Sequence, residues 1–521
     1  MNTDITTKTD ITTKTDGKID IEIDTEIDTI ESTDELENTL HGSPNSPKIA
    51  SIIIAIIFGS FISILSISTI NIAIPIMMGQ FHTDLATMQW ALTGFMLAMG
   101  SFAPVAGYLG ERFSYKRLYL FALIGFVIFS LCCAIAWSAP SLIVFRFLQG
   151  ACSGLIMPAT MTIIYQVVPR EKQAVAVSLW SLSSMLAPAF GPTLSGWILQ
   201  HLSWHYLFII NIPIGIIAIA LVIKLIPYYR LQVPKRFDLW GLITVVFGSL
   251  AILIAFSQGH TWGWSSWKFI ALLSAGVSLL AIFIWRERVT EAPLLNLGVF
   301  RFNRYTLAIV ISSIMTISLY SGTFLTPVFL QNIQHVSPLD TGLILLPSSL
   351  VMAVCTFFVG RLYNIAGPKV LIFIGVVLIV LGTLQMSWLS VGTPHMYIIV
   401  WMTVRNIGIA LTNMPANNAA MEVIPLPLTG HASSMSNWIR NVTGSFAIAL
   451  FAAMLASRTQ THASEMVHAG VSNMDQISLM SYTLSVNDVY LLATGIALLA
   501  LPLSLWLRKL PLKTTSTSTT M

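Results

Sequence analysis

The chain has 521 residues, is 55% hydrophobic and only 10% charged, and has a mean hydropathy of +0.77. Soluble domains carry about 25% charged residues, so this composition excludes a soluble enzyme or binding module and points to a polytopic membrane protein. A net charge of +4 conceals an asymmetry: twelve of the 23 acids precede residue 38, so the remaining body, with 11 acids, is strongly basic.

Residues 1–48 form a polar tail. Asp4–Thr9 (DITTKT) repeats at once as Asp10–Thr15, and IDIEIDTEIDTIE follows. Alternation is a strand signal, but these residues offer no core and their acids repel. The tail is therefore predicted to be solvated and disordered. No charged-then-apolar leader with a cleavage site is present, so the first span is expected to act as its own insertion signal.

After residue 48, apolar runs of about 20 residues recur, the length that crosses a bilayer core. They begin near Ile49, Leu85, Leu118, Leu142, Ala174, Tyr206, Leu239, Phe269, Tyr305, Thr341, Val370, Met396, Ser433 and Val489, which makes 14 spans. Most connections are short; Arg458 to Asp488 reads as a polar loop before the last span. Loops after even-numbered spans and the segment after the last carry 18 lysines and arginines, from Arg112 to Lys513, against Lys268 and Arg458 on the opposite side. That bias places both termini in the cytoplasm.

The fifth span holds Ser183–Gln200, SSMLAPAFGPTLSGWILQ. Ser183, Ala187, Gly191 and Ser195 recur every four residues and share one helix face. A face of such small residues lets another backbone come close. Pro188 and Pro192 each remove a backbone donor, so a kinked helix is predicted. In the fourth span, Leu142–Gly154 (LIVFRFLQGACSG) sets Arg146 inside an apolar helix, an expensive placement that marks function. Gly107–Arg117 (GYLGERFSYKR) is a basic turn with one acid, Glu111, able to pair with Arg112 or a neighbouring helix end.

The two ends of the chain echo each other. GLIMPA (Gly154–Ala159) matches ALTNMPA (Ala410–Ala416), each after a membrane arginine, Arg146 and Arg405. Gly107–Arg117 matches Gly360–Lys369. Pairing spans 2 with 10 and 4 with 12 implies two six-helix halves with spans 7 and 8 inserted. The expected layout is a tail at 1–48, halves at 49–226 and 301–510, an insert with linkers at 227–300, and a second tail at 511–521.

These motifs resemble those of the major facilitator superfamily, and in particular its 14-helix drug:proton antiporters of the EmrB/QacA type. GPTLSG after APAF is similar to the antiporter signature of the fifth helix, carried by Ala187, Pro188, Gly191, Pro192, Ser195 and Gly196, with Ser195 where a glycine is usual. Gly107–Arg117 resembles the family's cytoplasmic loop motif, with Glu111 for Asp and Ser114 for Gly. The resemblance makes Gly107, Glu111, Arg112, Lys116 and Arg117 a conformational latch. LIVFRFLQG resembles the fourth-helix motif, which assigns Arg146, with Gln149 and Gly150, to proton coupling. WHYLFIINIPIG (Trp204–Gly215), FDLWG (Phe237–Gly241), Leu330–Pro347 and Gly430–Gly444, with Asn437 and Arg440, complete the likeness. It implies an all-α membrane protein with a major facilitator fold, two six-helix halves plus two extra central helices.

One departure concerns charge. The family's first helix commonly carries Asp before T-I-V-N-V-A-L-P; here LSISTINIAIP puts Ser66 in that place. The body's acids all fall in loops or near predicted span ends, so the proton-coupling carboxylate is sought there, at Asp340, Asp84 or Glu111. No P-loop is present. His201 and His205 are four apart at a helix boundary and read as interfacial, as does the Trp262, Trp264, Trp267 cluster. Cys132, Cys133, Cys152 and Cys355 read as thiols in apolar runs. The expected activity is efflux of small amphipathic molecules across a cell inner membrane, with no enzyme chemistry, no cofactor beyond a proton gradient, no metal and no nucleic acid. The bilayer and a periplasmic adaptor are the further expected partners. An uptake symporter, an exporter of one metabolite such as a siderophore, and a non-transporting membrane sensor are the alternatives.

Overall fold

The computed structural model describes residues 49–83, 85–228, 238–290, 293–469 and 473–507. The polar tail, Asp84 and residues 508–521 lie outside the described residues. All described secondary structure is helical. The first half holds α1 (Ile49–Phe81), α2 (Leu85–Phe102), α3 (Val105–Phe113), α4 (Tyr115–Ala134), α5 (Ala139–Val167), α6 (Arg170–His201), α7 (Tyr206–Ile209) and α8 (Asn211–Leu225). Two helices follow, α9 (Leu239–Trp262) and α10 (Trp267–Val289). The second half holds α11 (Asn303–Asn332), α12 (Pro338–Gln385), α13 (His395–Met421), α14 (Thr429–His468), α15 (Met474–Leu498) and α16 (Ala500–Trp506).

Among the described residues, ten helical stretches are long and apolar enough to cross a membrane, or eleven if α2 and α3, bent by 59°, form one broken span. One of the ten, α12, breaks at Gly367 (φ 77, ψ 167), and its two legs match the tenth and eleventh predicted spans. Helices α6 (32 residues) and α13 (27 residues) are as long but less apolar, because they bury serines, asparagines and an arginine. Each of the 14 predicted spans thus falls on a helical segment.

Local sequence starts these helices. Ser138 and Ser141 form a reciprocal capping box on α5, with Pro140 in its first turn, the arrangement that satisfies two orphan amides at once. Asp238, Ser266, Ser337 and Asn473 cap α9, α10, α12 and α15. Helix α6 continues through Pro188 and Pro192, whose side chains lie outside the described residues, as does any kink argued from them.

Packing follows the repeat. Helix α1 lies against α6 and α8, and α5 against α2 and α4; in the second half α13 lies against α11 and α12, and α15 against α14. Helix α9 fills the seam between α2 and α14, with α10 outside it. Gly100 lets α9 and α14 close on α2: a Cβ there would meet Leu253 Cδ1 at 2.9 Å and Asn441 Cβ at 3.3 Å. Trp438 Nε1 donates to Ser249 Oγ at 2.8 Å across the same seam.

One expectation is corrected. The stretch from Arg458 to Asp488 is a helical hairpin, not a loop: α14 runs on to His468 and α15 begins at Met474, so the last span starts well before Val489. Hydropathy marks where a helix meets hydrocarbon and is blind to where it continues into water. Asp488 lies inside α15, bonded to Arg458 Nε at 2.5 Å and His462 Nε2 at 2.9 Å.

The repeat extends to backbone torsions. Ser114, between α3 and α4, has φ 78 and ψ 143; Gly367, at the matching place in the second half, has φ 77 and ψ 167. A positive φ of this kind suits glycine and strains an L side chain by about 1–3 kcal/mol. Ser114 is 1% exposed, and its Oγ has no hydrogen-bond partner. Ser114→Gly removes both penalties and should stabilise the protein by about 1–2 kcal/mol. Thermal unfolding of the purified protein checks this; an unchanged or lower midpoint would show that the turn carries no strain.

Candidate functional site

Arg146 sits about two turns inside α5 and is 0% exposed. Nε donates to the Ala91 carbonyl of α2 at 3.0 Å; Nη1 donates to Ser66 Oγ of α1 at 2.8 Å and to Gln149 Oε1 at 2.8 Å; Nη2 reaches the Ser66 carbonyl at 3.3 Å. The guanidinium carbon lies 4.2 Å over the Phe95 ring and 5.8 Å from that of Phe208. Gly150 makes this possible. A Cβ there would overlap the Phe95 backbone, so only glycine lets α2 bring Ala91 and Phe95 onto the arginine. Arg146, Gln149 and Gly150 therefore form one unit, and Ser66, standing where a carboxylate is usual, is its direct partner. None of the ion pairs among the described residues includes Arg146.

The small-residue face of α6 packs on α1. Ser68 Oγ donates to the Ala187 carbonyl at 3.2 Å, and Ser195 Oγ to the Thr69 carbonyl at 2.9 Å. A Cβ at Gly191 would overlap Ser68 Oγ and lie 2.7 Å from Ser68 Cβ. Ala187, Gly191 and Ser195 are buried, whereas Gly196, half-buried, faces Leu339 Cδ1 at 3.5 Å.

At the end of the bundle that carries the basic turns, the two halves are joined. His431 Nε2 and Glu111 Oε1 lie 2.9 Å apart, both largely buried. Gly107 packs on Gly430, where a Cβ would lie 3.2 Å from the Gly430 carbonyl oxygen. Gln166 Nε2 donates to Thr429 Oγ1 at 2.8 Å, Tyr165 OH to Asn418 Oδ1 at 3.2 Å, Ser433 Oγ to the Pro158 carbonyl at 3.0 Å, and Asn364 Nδ2 to the Glu171 carbonyl at 3.2 Å. Lys116 and Arg117 point elsewhere. Lys116 Nζ donates to the Ile223 carbonyl at 2.9 Å, capping α8 of its own half, and Arg117 lies 4.9 Å over the Tyr228 ring. Arg112 is half-buried beside them. The predicted latch thus divides into residues that join the halves and residues that hold one half together.

Arg405, also 0% exposed, reaches from α13 to α11: Nη2 donates to the Ser318 carbonyl, to the Leu319 carbonyl at 3.0 Å and to Ser321 Oγ at 3.4 Å. Its Nε and Nη1 are buried without a hydrogen-bond partner. Arg440, half-buried on α14, donates through Nη2 to Asn417 Oδ1 at 2.7 Å. Asp340 is exposed at the far end of α12, where its side chain accepts from Ser337 Oγ at 2.7 Å as part of the helix cap. It borders an open cavity of about 780 Å³ with His335 and His395. His201 Nδ1 lies 2.9 Å from the Trp197 carbonyl oxygen and His205 stacks on Trp204. Sequence reasoning missed His431, one of ten histidines, and Ser68; the small face opposite Ser68 was the only signal for it.

Comparison with known proteins follows this geometry. The Major Facilitator Superfamily profile matches residues 56–448. The chain is 32% identical over 460 residues to an MFS-type transporter, YcnB, of Bacillus subtilis, covering 88% of this chain and 95% of the relative. It is 28% identical over 458 residues to the lincomycin resistance protein LmrB of Listeria monocytogenes (88% and 96% covered) and 26% identical over 424 residues to the multidrug export protein EmrB of Haemophilus influenzae (79% and 82% covered). Among solved structures it superposes on the human organic anion transporter MFSD10 and on the proton:xylose symporter XylE. Each gives a TM-score of 0.59 at 11% and 12% identity, covering 87% of this chain and 100% and 96% of theirs. The chain belongs to the major facilitator superfamily.

Proposed function

We propose that this protein exports small amphipathic molecules by alternating access, in exchange for protons, from an inner membrane in which its basic end faces the cytoplasm. The observation that carries this reading is the α1–α6 seam. Ala187, Gly191 and Ser195 hold α6 so close to α1 that one added methyl collides, and this is the stretch that resembles the antiporter signature. Relatives named for lincomycin resistance and multidrug export support the direction of transport. The packing of α1–α8 and of α11–α16, with α9–α10 on their seam, supports the division into halves at 49–226 and 301–510.

In this reading Arg146, fixed by Ser66, Gln149 and Ala91, supplies constant positive charge at the core of the first half. Arg405 does the same in the second half. Glu111 with His431 is the titratable pair best placed to exchange a proton, because it lies between the halves and opening the clamp would hydrate it. Asp340, exposed at the start of α12 and bonded by the capping Ser337, is a second candidate. Should a periplasm lie beyond the membrane, the α14–α15 hairpin is the surface an adaptor would meet.

The reading has three tests. For orientation, a reporter active only in the cytoplasm should work when fused near Tyr229 or after Lys513 and fail near Asn473, following the basic bias; activity at residue 473 reverses the orientation. For the seam, Gly191→Leu should reduce export at least tenfold at normal membrane expression, since overpacking of this size costs about 1–3 kcal/mol. Full export by the variant would make the seam incidental. For charge, the interior presents arginines without paired carboxylates, so a dication would lose its hydration for no anionic partner. Vesicle flux should favour a neutral amphiphile over a bis-quaternary one and should collapse without a pH gradient. Strong dication export, or flux indifferent to the gradient, would overturn the corresponding half.

A further inference from the structure

We infer that Arg440, Asn413 and Asn417 form a donor-rich subsite that takes an oxyanion (carboxylate, sulfonate or phosphate) of a transported amphiphile. The inference deepens the proposed export function and rests on it only for the word transported.

Ser433 of α14 bonds the Pro158 carbonyl of α5, in the opposite half. Arg440 is seven residues further along α14, about two turns, and so lies on the same face. It faces the first half deeper in the membrane than the clamp. On α13, Asn418 bonds Tyr165 of the first half, so α13 also borders this interface. Asn413 and Asn417, four apart, share one side of α13 and face α14, because Asn417 is the residue that Arg440 bonds.

The hydrogen-bond order then fixes the chemistry. Arg440 Nη2 donates to Asn417 Oδ1 at 2.7 Å; Asn417 Nδ2 donates to Asn413 Oδ1 at 2.9 Å. The chain consumes one carbonyl oxygen at each asparagine. What it leaves is the remainder of the guanidinium, which has donors only, and Asn413 Nδ2, a further donor, while each amide oxygen keeps one lone pair. Neither residue is sealed: both are half-buried, and none of their nitrogens is buried without a partner. No ion pair among the described residues neutralises Arg440. An arginine at this depth is costly without an anion, and a planar fork of donors suits an oxyanion bidentately. Tyr320, whose ring packs on Gly444 one turn further along α14, gives the apolar part of a ligand a surface.

The test uses binding, so it does not depend on transport. The probes are 8-anilinonaphthalene-1-sulfonate and its uncharged parent N-phenyl-1-naphthylamine, titrated onto full-length protein in detergent. Arg440→Gln should weaken the sulfonate by about tenfold to a hundredfold and change the parent less than twofold. Asn413→Asp, which puts an anion beside the guanidinium, should do the same and serves if Arg440→Gln fails to fold. Arg440→Lys should recover only part of the affinity. Equal loss for both probes, or no loss for either, overturns the inference. Displacement of the sulfonate by benzoate supports a soluble amphiphile; displacement only by short-chain phosphatidylglycerol means a lipid headgroup and overturns it. If sulfonate selectivity holds while no export is found, the export reading fails alone. If export is found and Arg440→Gln binds sulfonate normally, this inference fails alone.

Discussion

A buried arginine without a buried acid is the constraint on which this molecule is arranged. Arg146 has lost its water and has gained two carbonyl oxygens, a serine hydroxyl, a glutamine amide oxygen and an aromatic face. Charge-assisted hydrogen bonds are worth about 1.5–3 kcal/mol each, and a desolvated cation–π contact about 2 kcal/mol. The effective penalty for burying an ion is several kcal/mol. Together these contacts offset the penalty. The requirement to make them sets the position of α1 and α2 relative to α5 within a few tenths of an ångström.

The small residues follow from that requirement. A hydroxyl as short as that of Ser66, or a main-chain carbonyl, reaches the guanidinium only where helices nearly touch. Gly150 and Gly154 bring α2 onto α5, and Gly191 brings α6 onto α1 from the other side. These contacts lie inside one half and have no slack, so that half moves as a body. Arg405 is held less completely, with carbonyls of α11 on one nitrogen and two others unpartnered. Close glycine packing recurs around it: a Cβ at Gly382 would lie 2.9 Å from the Trp401 carbonyl oxygen and at Gly375 2.7 Å from that of Gly408.

Much of the fold was legible because bilayer length and helical periodicity are properties of single segments. The Ser114–Gly367 correspondence was legible too, as a matched loop in which one copy lacks its glycine. Contacts between segments were not. Ser66 stood out as a departure, but its bond to Arg146 joins residues 80 apart in sequence. His431 carried no local mark at all. The α14–α15 hairpin was misread because its outer turns are polar, and hydropathy treats a solvated helix as a loop. In those turns Thr459 returns its hydroxyl to the Leu455 carbonyl, and Arg458 pairs with Asp488 across the hairpin.

The contrast between contacts within and between halves bears on how alternating access would work here. Within the first half, Arg146 is bonded on several sides, and separating those helices would expose it unpaired. Between halves, the basic end carries single hydrogen bonds, one carboxylate–imidazole pair and close helix packing, where a Cβ at Gly360 of α12 would lie 2.8 Å from the Ala174 carbonyl oxygen of α6. Each of these bonds exchanges a protein partner for water when it opens, at a net cost of about 0.5–1.5 kcal/mol per bond. In the proposed transport cycle the halves would rock about these contacts, and the basic end would be the gate. A proton exchanged by the Glu111–His431 pair, as proposed above, would act at that gate. An oxyanion arriving at Arg440 would add negative charge two turns above the same clamp. Proton and substrate would then act on one seam from its two sides, and neither would need a carboxylate in the middle of the membrane.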